Sequence, residues 1–159
     1  MTLDVIIDDT RWSEAGLEPL AVGAVTRTLA QFGFDPDATV VAVLGCDDAR
    51  ISDFNADFRD KRQPTNVLSW PSEDRGAVED GGDPIHPSGD ELGDIAIAFD
   101  TCLREAMNQG KPMPEHVTHL LVHATLHLLG YDHTRPKDAQ LMERLEIEIL
   151  ATLGIANPY

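Results

Sequence analysis

Along the chain the spacing of hydrophobic positions changes several times, and each change predicts an element. Leu3 to Ile7 is an apolar run broken only by Asp4 and reads as a first strand. Val22, Val25, Leu29 and Phe32 then recur at the i, i+3, i+7, i+10 spacing of a helix face, and Gly33 stands where that helix should stop. Thr39 to Leu44 is continuously β-branched and apolar, the pattern of a strand covered on both faces in the middle of a sheet. Ile51, Phe54 and Phe58 mark a helix from about Asp47, and a turn at Gln63-Pro64 leads into a short strand, Asn66 to Trp70.

Pro71 to Gly93 has no apolar period and is rich in Asp, Glu, Gly and Pro, so a long surface loop is expected, with the lone His86 exposed in it and not a ligand. Asp94 to Phe99 resumes as a strand, Asp100 is the expected N-cap, and Thr101 to Asn108 forms a short helix ended by Gly110. Pro112 and Pro114 precede Glu115, where a helix begins, because proline fits a first turn and an acid suits its positive end. That helix runs to Gly130, a residue suited to the left-handed conformation that ends helices. A last helix follows Pro136, with Leu141, Leu145, Ile149 and Thr152 on one stripe beside Met142 and Leu153. No internal repeat is visible. The expected fold is α+β: a single domain over residues 1–159, with a small mixed sheet packed with helices.

Composition adds limits. A chain of 159 residues buries roughly two-thirds of its unfolded surface, and 42% apolar with 25% charged residues is ordinary for a folded soluble protein. The first residues carry acids where a signal peptide needs basic ones, and no stretch approaches the roughly 20 apolar residues that cross a bilayer, so a soluble, cytoplasmic protein is expected. Cys46 and Cys102 are far apart and are expected as reduced core residues. Twelve basic against 28 acidic side chains leave a formal net charge of -16, which argues against a broad polyphosphate-binding surface. Nucleic-acid contact would have to be local, and Arg59, Lys61 and Arg62 form the one basic cluster.

The histidines carry the chemistry. His123 and His127 are four residues apart, which puts two imidazoles on one helix face, one turn apart. Gly130 then lets the backbone reverse, so that His133 returns toward the same point. Three neutral nitrogens and a water make a tetrahedron that suits one Zn²⁺, although ligand type alone leaves Ni²⁺, Cu²⁺ and Fe²⁺ open. The spacing matches the zinc-protease pattern H-E-x-x-H-x-x-G-x-x-H, but Ala124 stands where that pattern has its general-base glutamate. His119 lies roughly 6 Å along the helix axis from His123, too far for easy shared ligation, so His116 and His119 are expected to support the ligands, touch substrate or simply pack. Asp132 is the nearest carboxylate for orienting a ligand or accepting a proton, and a turn-capping role explains it equally well.

The stretch His123-Ala-Thr-Leu-His-Leu-Leu-Gly-Tyr-Asp-His133 closely resembles the signature of the YbeY family, H-G-x-L-H-L-x-G-Y-D-H, found in bacterial endoribonucleases of ribosomal RNA maturation. Glu115-His116 and His119 resemble the residues leading into that signature. Arg59 followed by Pro64-Thr65-Asn66-Val67-Leu68-Ser69 is similar to the family's central motif, and Leu92-Gly93-Asp94-Ile95 to its L-G-D-I strand. Ala124 replaces the usual glycine, and Trp70 stands where phenylalanine is commoner. The resemblance implies zinc on His123, His127 and His133, and a role for Arg59 in catalysis or RNA contact. It further implies cleavage of single-stranded RNA in 16S rRNA 3′-end maturation and ribosome quality control, with ribosomal RNA and the ribosome or its associated proteins as partners. Two rival readings stand beside it: a metalloprotease, and a ribosome-assembly factor whose zinc is purely structural.

Overall fold

In the computed structural model, which describes residues 2–159, four strands form one sheet in the order β1-β2-β4-β3. They are β1 (Thr2–Ile7), β2 (Val40–Cys46), β3 (Val67–Pro71) and β4 (Glu91–Ala98). β1, β2 and β4 run parallel and β3 is antiparallel at the edge, which is the mixed sheet expected. β2 lies inside the sheet as its apolar run required, yet its burial alternates; the strand covered along most of its length is β4. β4 also starts three residues earlier than the pattern indicated, because buried Leu92 takes up a register shift opposite Val40 and Val41. Gly93 is required there: with φ at 142°, a Cβ would stand 2.1 Å from the Trp70 carbonyl oxygen.

Six helices surround the sheet: α1 (Arg11–Glu14), α2 (Leu17–Gln31), α3 (Asp48–Arg59), α4 (Phe99–Gln109), α5 (Met113–Leu128) and α6 (Pro136–Thr152). On one face Val41, Val43, Ile95 and Ile97 pack with α2, α5 and α6. On the other, Cys46, Leu68 and Ala96 pack with Ile51, Phe54 and Trp70. Both cysteines are free and buried, as expected. α5 is the central helix. Its Val117, Leu121, Val122, Leu126 and Leu128 are fully buried, and truncating one such leucine to alanine costs about 2–5 kcal/mol. The histidines between them are therefore carried on a rigid support.

Several boundaries differ from expectation. The core face of α2 is Leu17, Ala21, Ala24, Val25 and Leu29, while Val22 is 38% exposed on its rim; a pattern read only from large residues overlooked the alanines that let α2 approach closely. α4 begins at Phe99 with Ala98 as its cap, and Asp100 instead accepts from Arg11 at 2.7 Å. α5 begins two residues before Glu115, with Pro112 at its cap position. On α6 the buried stripe is Met142, Leu145, Glu146, Ile149 and Leu150, and Thr152 faces solvent.

The loop from 72 to 90 has no regular structure but is firmly anchored. Arg75 is 2% exposed and donates to the carbonyls of Leu92, Leu128 and Glu91 and to the Ser72 hydroxyl. The Leu128 carbonyl belongs to the last turn of α5, where a cation is favoured by the helix dipole. Farther on, Asp138 accepts from the Gly81 backbone, and Arg135 donates to Ala77 and Val78. His86 is exposed, as expected, and stacks on Phe34 at 5.1 Å. No described helix is long and apolar enough to cross a membrane.

Candidate metal centre

α5 presents His123 and His127 one turn apart, and the chain reverses at Gly130. Glycine is needed at that turn twice over. Its φ is 105°, and a Cβ would lie 2.4 Å from the Arg75 carbonyl oxygen of the anchored loop. The reversal returns His133 to the site, where its ring centre is 5.3 Å from that of His123, with the planes at 75°.

Each of the three rings meets an oxygen at Nδ1. For His123 it is a Glu146 carboxylate oxygen, for His127 the Ser69 hydroxyl at 2.5 Å, and for His133 an Asp132 carboxylate oxygen at 3.4 Å. Nε2 is thus the unengaged nitrogen of all three. Holding one ring nitrogen on a carboxylate or hydroxyl is how proteins fix the orientation and basicity of ligand histidines, so the donor set fits a zinc ion. Among the described residues no three His, Cys, Asp or Glu side chains already surround a common point. His133, whose side chain is 65% exposed, has the most freedom to turn inward.

The electrostatics favour a neutral ring at His127. Burial lowers the His127 pKa, nearby His123, His133 and Arg59 lower it further, and Asp132 opposes them. Arg59, exposed at the end of α3, is therefore close enough for its charge to reach His127. Glu146 is only 1% exposed. Burial pushes its pKa up, but hydrogen bonds from His119, His123 and the Tyr159 hydroxyl outweigh that and hold it at about 2. Beside His127 a cleft of about 340 Å³ opens, lined in part by Pro71, Asp74, Tyr131 and Asp132.

Two residues singled out in the sequence part company here. His119 joins the network through Glu146 at 3.3 Å, whereas His116 is buried on Glu105 at 2.9 Å, away from the ligands. Asp132 caps the turn by accepting from the His133 backbone nitrogen (2.7 Å), and its carboxylate lies 3.4 Å from that ring's Nδ1. Sequence reasoning missed Glu146, Ser69 and Tyr159. Only Glu146 left a signal: with Met142, Leu145 and Ile149 it stands at i, i+3, i+4, i+7, an acid inside an apolar stripe.

The family described as Endoribonuclease YbeY matches residues 6–154. An Endoribonuclease YbeY from Ruegeria pomeroyi is 58% identical, covering 100% of this chain and 98% of its own. That of Jannaschia sp. is 51% identical with 100% of each chain covered, and that of Rhodopseudomonas palustris 42% identical with 98% and 89% covered. The solution structure of TM1509 from Thermotoga maritima superposes with a TM-score of 0.53 at 17% identity, covering 96% of this chain and 92% of the other, a likeness of fold. A match over nearly the whole sequence, with relatives at this identity along their full length, means that the chain belongs to the Endoribonuclease YbeY family.

Proposed function

We propose that the protein is a zinc-dependent endoribonuclease that cleaves single-stranded RNA, acting in the cytoplasm on the 3′ end of 16S rRNA during ribosome maturation and quality control. The observation that supports this reading is that His123, His127 and His133 each turn Nδ1 to an oxygen, which leaves Nε2 as the nitrogen each would offer to a metal. Bound there, zinc supplies a Lewis acid for phosphodiester hydrolysis. The chain's own residues do the rest. Glu146 and Ser69 orient the rings of His123 and His127, and Arg59 stabilises the negative charge that develops on the phosphate. Asp132, which lines the cleft, takes up a proton in this reading.

The protease reading is weakened by Ala124, which is 1% exposed in the core side of α5 and offers no carboxylate beside the ligands. To test the proposal, metal-loaded protein is incubated with unstructured and base-paired RNA. Wild type should cut the unstructured strand, and His127→Ala should lower the rate at least about 100-fold, the scale of losing a group that stabilises transition-state charge. Absence of cleavage by wild type, or equal cleavage by His127→Ala, would defeat it.

A further inference from the structure

We propose that Phe58 and Trp70 form a base-stacking platform for single-stranded RNA on the edge of the sheet beside His127, an inference that rests on the endoribonuclease reading and locates where its substrate is gripped. Phe58 is 64% exposed, and its ring lies 5.4 Å from Trp70, tilted by 60°. Phe54 supports Trp70 from beside it at 5.5 Å, edge to face. Phe58 is open to water and Trp70 is half-buried against its neighbours, and bases stack on such π-faces with little regard to sequence.

The platform adjoins the candidate metal centre through two consecutive residues. Along a strand successive side chains point to opposite faces, and β3 is the edge strand. Ser69 accordingly reaches His127 on the α5 side, while Trp70 turns to the α3 side. Phe58 is followed by Arg59, whose charge is felt at His127. Because β3 is the last strand of the sheet, RNA stacked on Phe58 and Trp70 has only to pass that edge to enter the cleft.

Charge favours RNA as the occupant, and also explains why stacking is needed. Between residues 50 and 62, Arg50, Arg59, Lys61 and Arg62 stand against Asp53, Asp57 and Asp60 in a chain whose net charge is -16. Arg62 is paired with Asp53 at 2.5 Å and Arg50 lies over the Phe54 ring at 5.2 Å, whereas among the described residues Arg59 and Lys61 have neither an ion pair nor a ring beneath them and remain for phosphates. Two cations are too few to hold a polyanion by counterion release alone. Aromatic faces supply the remaining grip without charge, and they select single strands because a duplex keeps its base faces stacked within itself.

Trp12 is fully buried, so Trp70 is the tryptophan that a ligand can reach. Tryptophan fluorescence of the full chain is followed while a 2′-O-methyl RNA dodecamer, which resists cleavage, is added. The RNA should quench the signal, and inorganic polyphosphate of similar charge should not. Phe58→Ala should weaken RNA binding about five- to tenfold, the lower part of the range for losing one base–aromatic stack, and Phe58→Tyr should restore it. Trp70→Phe should abolish the quench while keeping most of the affinity. Failure of wild type to bind the RNA, or unchanged affinity in Phe58→Ala without any quench, overturns the proposal and leaves this face to a protein partner. His127-dependent cleavage with the same KM in Phe58→Ala would sink the platform alone. Quenching and the Phe58→Ala loss without cleavage would sink the nuclease reading alone.

Discussion

Glu146 is an acid in a place that repays an aliphatic side chain: on the buried stripe of α6, between Leu145 and Ile149, at 1% exposure. A carboxylate stays ionised there only because His119, His123 and Tyr159 all direct polar atoms at it. Its removal should therefore release the His123 ring. Glu146→Ala should lower zinc affinity about 10- to 100-fold in a competition titration with a chromogenic chelator, and Tyr159→Phe should lower it less. Unchanged affinity in Glu146→Ala would show that His123 needs no such support. At this scale the grouping of the three histidines is legible in the sequence and the side chains that touch them are not. His123, His127 and His133 are neighbours in sequence, so helix periodicity and one glycine bring them together. Glu146, Ser69 and Tyr159 reach the rings only through the packing of α6, β3 and the segment after α6 against α5, and no local pattern encodes that.

Between elements, the decisive contact is made by a segment that looked featureless. The composition of residues 72–90 correctly indicated a loop, but not that Arg75 would enter the core and tie three carbonyls, one of them at the end of α5. The same segment brings the Arg75 backbone so close to Gly130 that any larger residue in the turn would collide with it. The loop thus helps to set the reversal that returns His133. Arg75→Met fills similar space but leaves these carbonyls unpaired, and should cost about 3 kcal/mol, each hydrogen bond to a charged group being worth roughly 1.5–3 kcal/mol. In a chain of this size that lowers the melting temperature by roughly 6–12 °C in a calorimetric scan. A change within one or two degrees would mean that the carbonyls find other partners.

For the molecule as a whole, strand and helix identities followed from periodicity, while their arrangement did not. Apolar runs marked β1 to β4, but neither the order β1-β2-β4-β3 nor the burial of most of β4 follows from any one run, since both depend on which helices cover which face. The edge position of β3 is the consequence that matters most, because it leaves Ser69 against His127 and Trp70 on the opposite face beside exposed Phe58. Strong acidity fits the proposed function. With a net charge of -16, RNA recognition would fall to a few residues around one edge, and delivery through a partner would be favoured over wandering on bare RNA.

All of this depends on three imidazoles sharing one cation at a site that the fold does not need in order to stand. The direct measurement is elemental metal analysis of tag-free protein purified without chelators, paired with melting curves before and after chelation. One zinc per chain is expected, lost in His127→Ala, with a cooperative unfolding transition that survives metal removal. No bound metal in wild type, zinc retained by His127→Ala, or collapse of the fold on chelation would contradict this.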